Sequence, residues 1–192
     1  NVACGYHAAD PATMREAVRL AKRHGVGLGA HVSYPDLMGF GRRRMELTEE
    51  EVCDIVVHQL GALMGFAKAE GVEIQHVKPH GKLYLTAEID RPTARGIVEA
   101  VRSVDPQIIV LLARDIVREE CEKARVRYVP EGYFDLNYAP DGTLQIEREK
   151  QGRDPAEMAR KAVALFNDQG TKATDGSWWA VACQSICVHG DG

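Results

Sequence analysis

Strand-like and helix-like stretches take turns along this chain from one end to the other, which leaves few architectures open to it. Residues 1–7 read as the end of a strand, and Asp10-Pro11 then supplies an N-cap followed by the favoured first helical residue. Met14, Ala17, Val18 and Ala21 recur at helical spacing, His24 lies in the last turn where a cation suits the helix dipole, and Gly25 closes the helix. Residues 26–31 form a second short apolar strand. Thr48 and Glu51 have capping-box spacing, and Val52, Ile55, Val56, Leu60, Leu63 and Ala67 mark one face of a long helix that Gly71 ends. Residues 74–78 alternate apolar and polar until Pro79 forbids further pairing. Asp90 and Pro92 open another helix, and 108–113 is a continuous apolar run of the kind buried on both faces of a parallel sheet. A helix over 115–124, a strand over 126–129 and a loop over 131–141 follow, the loop ending at the turn signal Asp141-Gly142. Asp154-Pro155 with Glu157 repeats the cap signature, Met158, Ala162, Leu165 and Phe166 make the buried stripe of the last helix, and 185–188 is the final strand. The expectation is an α/β fold with right-handed crossovers and a parallel sheet, doubly wound or closed into a barrel.

A chain of 192 residues, 45% of them hydrophobic, is long enough for one core, and neither a repeat nor a low-complexity linker interrupts it, so 1–192 is expected to be a single domain. Its 24 basic and 28 acidic residues are interspersed, and the Arg42-Arg43-Arg44 run is too short for a nucleic-acid surface. The triplet reads first as a solvated loop face and second as a contact for anionic groups. Five cysteines without a CxxC pair argue against a disulfide framework and a zinc knuckle, and point to a reducing cytoplasm. No apolar run approaches the length of a membrane span, and no leader precedes Asn1. The chain opens within an apolar stretch without Met and closes on Val188-His-Gly-Asp-Gly, so both natural termini are expected to lie beyond it.

His7, His31, His80 and His189 each follow a different predicted strand, and in a barrel all such ends face one rim, where active sites of that architecture sit. These four are expected to share a site centred on residues 74–84, Ile-Gln-His-Val-Lys-Pro-His-Gly-Lys-Leu-Tyr. Residues 32–46, with Tyr34, Pro35, Asp36, Gly39, Phe40, Gly41 and the three arginines, form a loop long enough to be a lid. His31 or His80 suits a base, and Lys78 suits either a cation near developing negative charge or a salt-bridged strand end. Asp135 and Asp191, in loops after strands, are placed to orient a histidine or hold a metal, a solvated carboxylate being the plainer alternative. His76 reads as a packed structural histidine, His24 as structural, His58 as solvated, and Asp10 as a helix cap. No Gly-x-x-x-x-Gly-Lys-Ser/Thr run occurs, so a P-loop does not supply a nucleotide site.

Four motifs that span the chain carry a resemblance: Asn1-Val-Ala-Cys-Gly-Tyr-His-Ala-Ala-Asp, Gly29-Ala-His-Val-Ser-Tyr-Pro-Asp, His76-Val-Lys-Pro-His-Gly-Lys-Leu-Tyr and Cys187-Val-His-Gly-Asp-Gly. Together they resemble the LamB/YcsF family. The resemblance implies a distorted seven-stranded parallel β/α barrel similar to polysaccharide deacetylases, lacking its first strand here. The implied activity is that of the A-type subunit of an ATP-dependent 5-oxoprolinase, which opens the lactam of 5-oxo-L-proline to L-glutamate with two further subunits, B and C. On that reading ATP, with Mg2+, is the cofactor, His31, Lys78, His80 and Asp135 are catalytic, and His7, Tyr34, Tyr84, His189 and Asp191 bind substrate, without a protein-bound metal. The family's opening Asp-Leu-Asn-x-Asp-x-Gly-Glu strand is absent here. Its Ala-Asp-Arg-x-Tyr motif is met by Phe134-Asp135-Leu136-Asn137-Tyr138, with Leu136 where the family has arginine, and Ala9-Asp10 stands for its Gly-Asp. Two rivals stand beside the lactamase: a metal-dependent deacetylase or amidohydrolase, in which histidines and a carboxylate hold a divalent ion, and a non-catalytic scaffold that only binds substrate or a partner.

Overall fold

Parallel strands joined by helices carry the first part of the chain. In this computed structural model, residues 1–145 and 154–189 are described, and the chain divides into two units, Asn1–Tyr128 and Val129–Gly192. The first unit runs β1 (Val2–Ala3), α1 (Pro11–His24), β2 (Leu28–His31), α2 (Glu49–Glu70), β3 (Ile74–Val77), α3 (Gly81–Ala87), α4 (Arg91–Val104), β4 (Ile109–Leu112) and α5 (Asp115–Ala124). β1, β2, β3 and β4 pair in that order, all parallel, with Ala3 opposite His31, Ala30 opposite Val77 and Val77 opposite Val110. The core lies where Val18, Val32, Val56, Leu60, Leu63, Ile97, Val110 and Leu112 are buried. Each such side chain contributes about 1.5–3 kcal/mol by leaving water.

The helix starts and stops follow local chemistry. Asp10 accepts from the Thr13 amide at 2.7 Å and Gly25 ends α1 in the left-handed conformation, so the capping role expected of Asp10 is observed. Thr48 and Glu51 close a reciprocal capping box on α2, and Asp90 caps α4 through the Thr93 amide at 2.9 Å. The acid-rich first turn of α2 further suits the positive end of its dipole.

Several expectations need correction. β2 begins at Leu28 rather than residue 26, because Val26 stays largely exposed. A helix absent from the expected elements, α3, starts at Gly81 and buries Leu83, Tyr84 and Ala87. By length and apolar composition alone α2 reaches the range of a membrane-crossing helix, against the expectation that no segment does. In the first unit α2 packs on α1, α4, β2 and β3 and buries Val52, Val56, Gln59, Leu60, Leu63 and Ala67.

The second unit holds β5 (Tyr128–Tyr133), which begins at the junction, β6 (Asn137–Tyr138), β7 (Leu144–Gln145), α6 (Pro155–Asp168), β8 (Gly170–Lys172), β9 (Trp178–Ala180) and β10 (Ser185–Cys187). β10 lies parallel to β5, with Ile186 opposite Gly132, while β6–β7 and β8–β9 are antiparallel hairpins. β5 therefore runs through residues expected to be loop. Pro130 lies within this strand, where it loses only a donor, and its carbonyl accepts from the Gln184 amide at 2.9 Å. On α6, Leu165 is buried but Phe166 is more than half exposed, correcting its place in the stripe.

Candidate functional site

Three parallel-strand connections deliver the histidines of the first unit. His7 follows β1, His31 ends β2, and His80 lies just past β3, where Pro79 has stopped the ladder. In-phase parallel pairing sets the strand ends side by side, and the rings meet. His7 and His80 stack with centroids 4.0 Å apart and planes 8° from parallel, while His31 meets His80 edge-on at 4.8 Å and His7 at 5.5 Å. One nitrogen from each ring lies within 4.8 Å of those of the other two.

The hydrogen bonds around the rings are specific. His31 Nδ1 lies 2.8 Å from the Lys78 carbonyl and His80 Nε2 lies 2.8 Å from the Phe40 carbonyl, while His80 Nδ1 faces His31 Nε2 at 3.0 Å. His7 is buried, and its Nδ1 has no hydrogen-bond partner. Loss of hydration, then the neighbouring His80, lowers the His7 pKa to about 3. The same two causes, in that order, push His31 well below its ordinary value. Both imidazoles are therefore neutral at pH 7 and offer lone pairs instead of positive charge.

The 32–46 loop supplies the roof. Asp36 is buried, accepts from the Gly39 amide at 2.9 Å and pairs with the Arg43 guanidinium, whose hydrogen bond is the main cause holding its carboxyl down at about 2. This clamp turns the chain so that Phe40, at φ 54°, presents its carbonyl to His80, and Gly41, at φ 67°, lies against His80, His7 and Ser33. A Cβ on Gly41 would sit 3.0 Å from His80 Cδ2 and 3.1 Å from His7 Cβ, so the close approach itself requires glycine. Below the roof, the fully buried Gln59 accepts from the Ser33 amide at 2.9 Å and donates to the Ser33 and Ile55 carbonyls at 2.8 Å. It ties α2 to the first turn after His31.

Of the other residues singled out in the sequence, Lys78 is buried at the end of β3, and its backbone amide donates to the Ala30 carbonyl at 2.9 Å. Tyr34 and Tyr84 are also buried. His76 is a packed residue as expected: its Nε2 lies 2.7 Å from Asn1 Oδ1, and burial is the main cause lowering its pKa to about 4. His58 is exposed and stacks on Tyr6 at 5.1 Å. Among the arginines, Arg43 serves Asp36, Arg44 pairs with Glu46 at 3.3 Å, and Arg42 lies over the Phe40 ring.

The second unit has its own cluster. Asp135 Oδ2 accepts from the His189 backbone amide at 2.9 Å and from His189 Nδ1 at 2.8 Å, while the buried Oδ1 has no hydrogen-bond partner. Tyr133 stacks on the His189 ring, and Cys187 Sγ lies 3.9 Å from His189 Nε2. The Asp135 hydrogen bond, then that of Cys187, raises the His189 pKa to about 9, so this imidazole is cationic at pH 7. Asp191 lies outside the described residues.

Sequence reading missed Gln59, the Phe40 carbonyl, Gly41 as a packing surface, and Cys187. A lone amide inside the apolar stripe Ile55, Val56, Leu60, Leu63 was a usable signal for Gln59, because a buried polar group has to find partners. No sequence signal marks a backbone carbonyl.

A parallel α/β scaffold whose strand ends gather three imidazoles under a loop defines the class of protein to which this chain belongs. More particularly, the chain belongs to the LamB/YcsF family, whose model matches residues 1–192. It is 46% identical over 195 residues to a Pyrococcus furiosus protein named as the A subunit of 5-oxoprolinase, covering 100% of this chain and 76% of that protein. A Thermus thermophilus protein of the same name is 47% identical, with 100% of this chain and 78% of the relative covered. The crystal structure of a lactam utilization protein, also from Thermus thermophilus, superposes with a TM-score of 0.90 at 44% identity, over 98% of this chain and 78% of that one.

Proposed function

We propose that this chain works in 5-oxoproline utilisation as the A-type subunit of an ATP-dependent 5-oxoprolinase, hydrolysing a lactam to L-glutamate together with two other subunits, B and C. The observation that carries the reading is the imidazole cluster formed by His7, His31 and His80, in a chain related along its whole length to proteins named for that activity. A distorted seven-stranded barrel, supported by the parallel strand–helix order and the likeness to a longer relative, belongs to the same proposal.

Lactam hydrolysis adds water across the ring C–N bond: the oxygen goes to the carbonyl carbon and a proton goes to the leaving nitrogen. Neutral imidazoles suit the water step, because each can accept a proton in the transition state and return it to nitrogen. His80 is partly accessible and is held at Nε2 by the Phe40 carbonyl, with Nδ1 facing His31, and the role is assigned to this pair of rings. Lys78 is assigned to the developing oxyanion. In the second unit, the imidazolium that Asp135 holds on His189 is suited by its charge to a carboxylate.

Opening an unstrained five-membered lactam is uphill under ordinary conditions, which is the reason for assigning ATP, with Mg2+, as the energy source. The chain has no Gly-x-x-x-x-Gly-Lys-Ser/Thr phosphate loop. The nucleotide is therefore assigned to the strand-end rim of this chain or to a partner subunit of the complex.

The test is 5-oxoproline-dependent ATP hydrolysis and glutamate formation by this chain mixed with the B and C subunits, against each component alone. Coupled turnover is expected only in the full mixture, and His31→Ala and His80→Ala should each lower it by at least about a hundredfold. Unchanged turnover with both substitutions would assign the chain to a scaffold role instead.

A further inference from the structure

We infer that His7, His31 and His80 form a three-imidazole site for one divalent transition-metal ion of the zinc class. The inference goes beyond the lactamase reading and does not depend on it; with the ion bound, His31 and His80 would serve as its ligands in place of the base role assigned above.

The carbonyls around the cluster dictate where the ring hydrogens must be. A backbone carbonyl only accepts, so His31 Nδ1, 2.8 Å from the Lys78 oxygen, and His80 Nε2, 2.8 Å from the Phe40 oxygen, both carry hydrogen. The neutral His31 ring then bears its lone pair on Nε2, which faces His80 Nδ1 at 3.0 Å. Two ring nitrogens that close are held by a positive centre, a proton or a metal ion, between or beside them. A shared proton would answer for those two nitrogens and for no others. A metal ion answers for a third, and a third ring is in place: His7, buried, with an unpartnered Nδ1 and with one ring nitrogen within 4.8 Å of its counterparts.

The spacing fits after a small movement. Nitrogen ligands about 2.0–2.1 Å from a tetrahedral zinc ion lie about 3.3 Å from one another. The His31–His80 pair is already near that separation. His7 is stacked flat on His80, so its ring has to turn out of the stack for its lone pair to converge with the others. The carbonyls of Lys78 and Phe40 already act as outer-shell partners do in metal sites, orienting a ligand ring through its second nitrogen.

Donor type narrows the ion. Three imidazoles without a carboxylate or thiolate in the group favour Zn2+, Co2+, Ni2+ or Cu2+ over Mg2+ or Ca2+, which prefer oxygen. Three protein ligands also leave a fourth position open to water or a carbonyl oxygen, as in catalytic zinc sites.

The experiment uses the full chain, stripped with chelator and re-equilibrated with Zn2+ or Co2+ in the absence of any substrate. Metal analysis is expected to find one ion per chain, and Co2+ should give the intense visible bands of a four-coordinate centre. His7→Ala, His31→Ala and His80→Ala should each weaken binding by at least about tenfold, while His24→Ala and His58→Ala, at exposed positions, should not. Far-ultraviolet circular dichroism checks that each variant folds, and the milder His80→Gln serves if an alanine variant does not. Absence of stoichiometric uptake, uptake unaffected by all three substitutions, or uptake of Mg2+ in preference to Zn2+ would overturn the inference. So would nitrogen NMR of the stripped chain in excess Zn2+ that still showed one proton shared between His31 and His80. Because binding is read without turnover, failure here leaves the lactamase reading standing, and failure of coupled turnover leaves this site standing.

Discussion

Gln59 shows how one side chain can hold a site it never touches. Its amide satisfies both the N–H and the carbonyl of Ser33, which is fully buried, and so holds the turn that follows His31. Gln59→Leu keeps the volume and removes the partners, leaving two buried backbone groups unpaired. A loss of about 2–4 kcal/mol in urea unfolding is expected, with little change in m-value. At Asp135 the readout is a titration. Its hydrogen bond is the largest cause raising His189 to about 9, so Asp135→Asn should bring the His189 midpoint, followed by proton NMR, back toward 6.5 while the fold persists. A midpoint that stays near 9 would mean that Cys187, and not Asp135, holds the charge. The charged state of His189 was beyond sequence reading, since Asp135 and His189 are far apart in the chain and meet only through the fold.

At the scale of elements, the chain uses glycine and buried charge where its helices and loops come closest. The 32–46 loop lies over the histidines only because Gly41 has no side chain and sits at positive φ. Gly41→Ala is expected to cost about 1–3 kcal/mol and to push the His80 ring from its place, seen as altered His80 ring shifts in NMR. Unaltered shifts would mean the loop can lift away freely. Farther along, Glu120 on α5 is nearly inaccessible and takes Arg91 of α4 at 2.5 Å, Arg95 at 3.3 Å and Lys123 at 2.8 Å. Lys123 is the largest single cause lowering the Glu120 pKa to about 2. The helices themselves were legible from Asp-Pro caps, the Thr48–Glu51 box and closing glycines, because those signals act within a few residues. Helix α3 was not, since it has no side-chain cap and its first residue is Gly81.

For the whole molecule, the titrations set opposite pH limits in the two units. In the first, His76 and Glu120 have lowered pKa values, about 4 and about 2. Both groups bind more protons when unfolded, so their stabilisation is present above the ordinary values of 6.5 and 4.5 and is lost as pH falls through 4 and then 2. In the second, His189 is raised, so its contribution is whole below 6.5 and is lost as pH climbs through about 9. The two probes are separable: both tryptophans, Trp178 and Trp179, lie in the second unit, whereas the first holds most of the helix. The alkaline loss of transition temperature should therefore be read by tryptophan fluorescence, where the lowered pKa of Asp135 adds an acid loss as well, while far-ultraviolet circular dichroism should fall on the acid side. Glu120→Gln should flatten the acid limb between 4.5 and 2; an unchanged limb would remove Glu120 from the account.

Periodicity and caps told from sequence alone that this is a parallel α/β chain, and the four motifs told its LamB/YcsF likeness and the histidines at its strand ends, because those signals depend on near neighbours and on residue type. Which nitrogen faces which, that Phe40 lends a carbonyl, that Gln59 anchors Ser33, and that His7 and His31 are neutral while His189 is charged were decided by tertiary structure. Protonation state depends on burial and on partners remote in the chain, and neither exists until the strands and helices have packed.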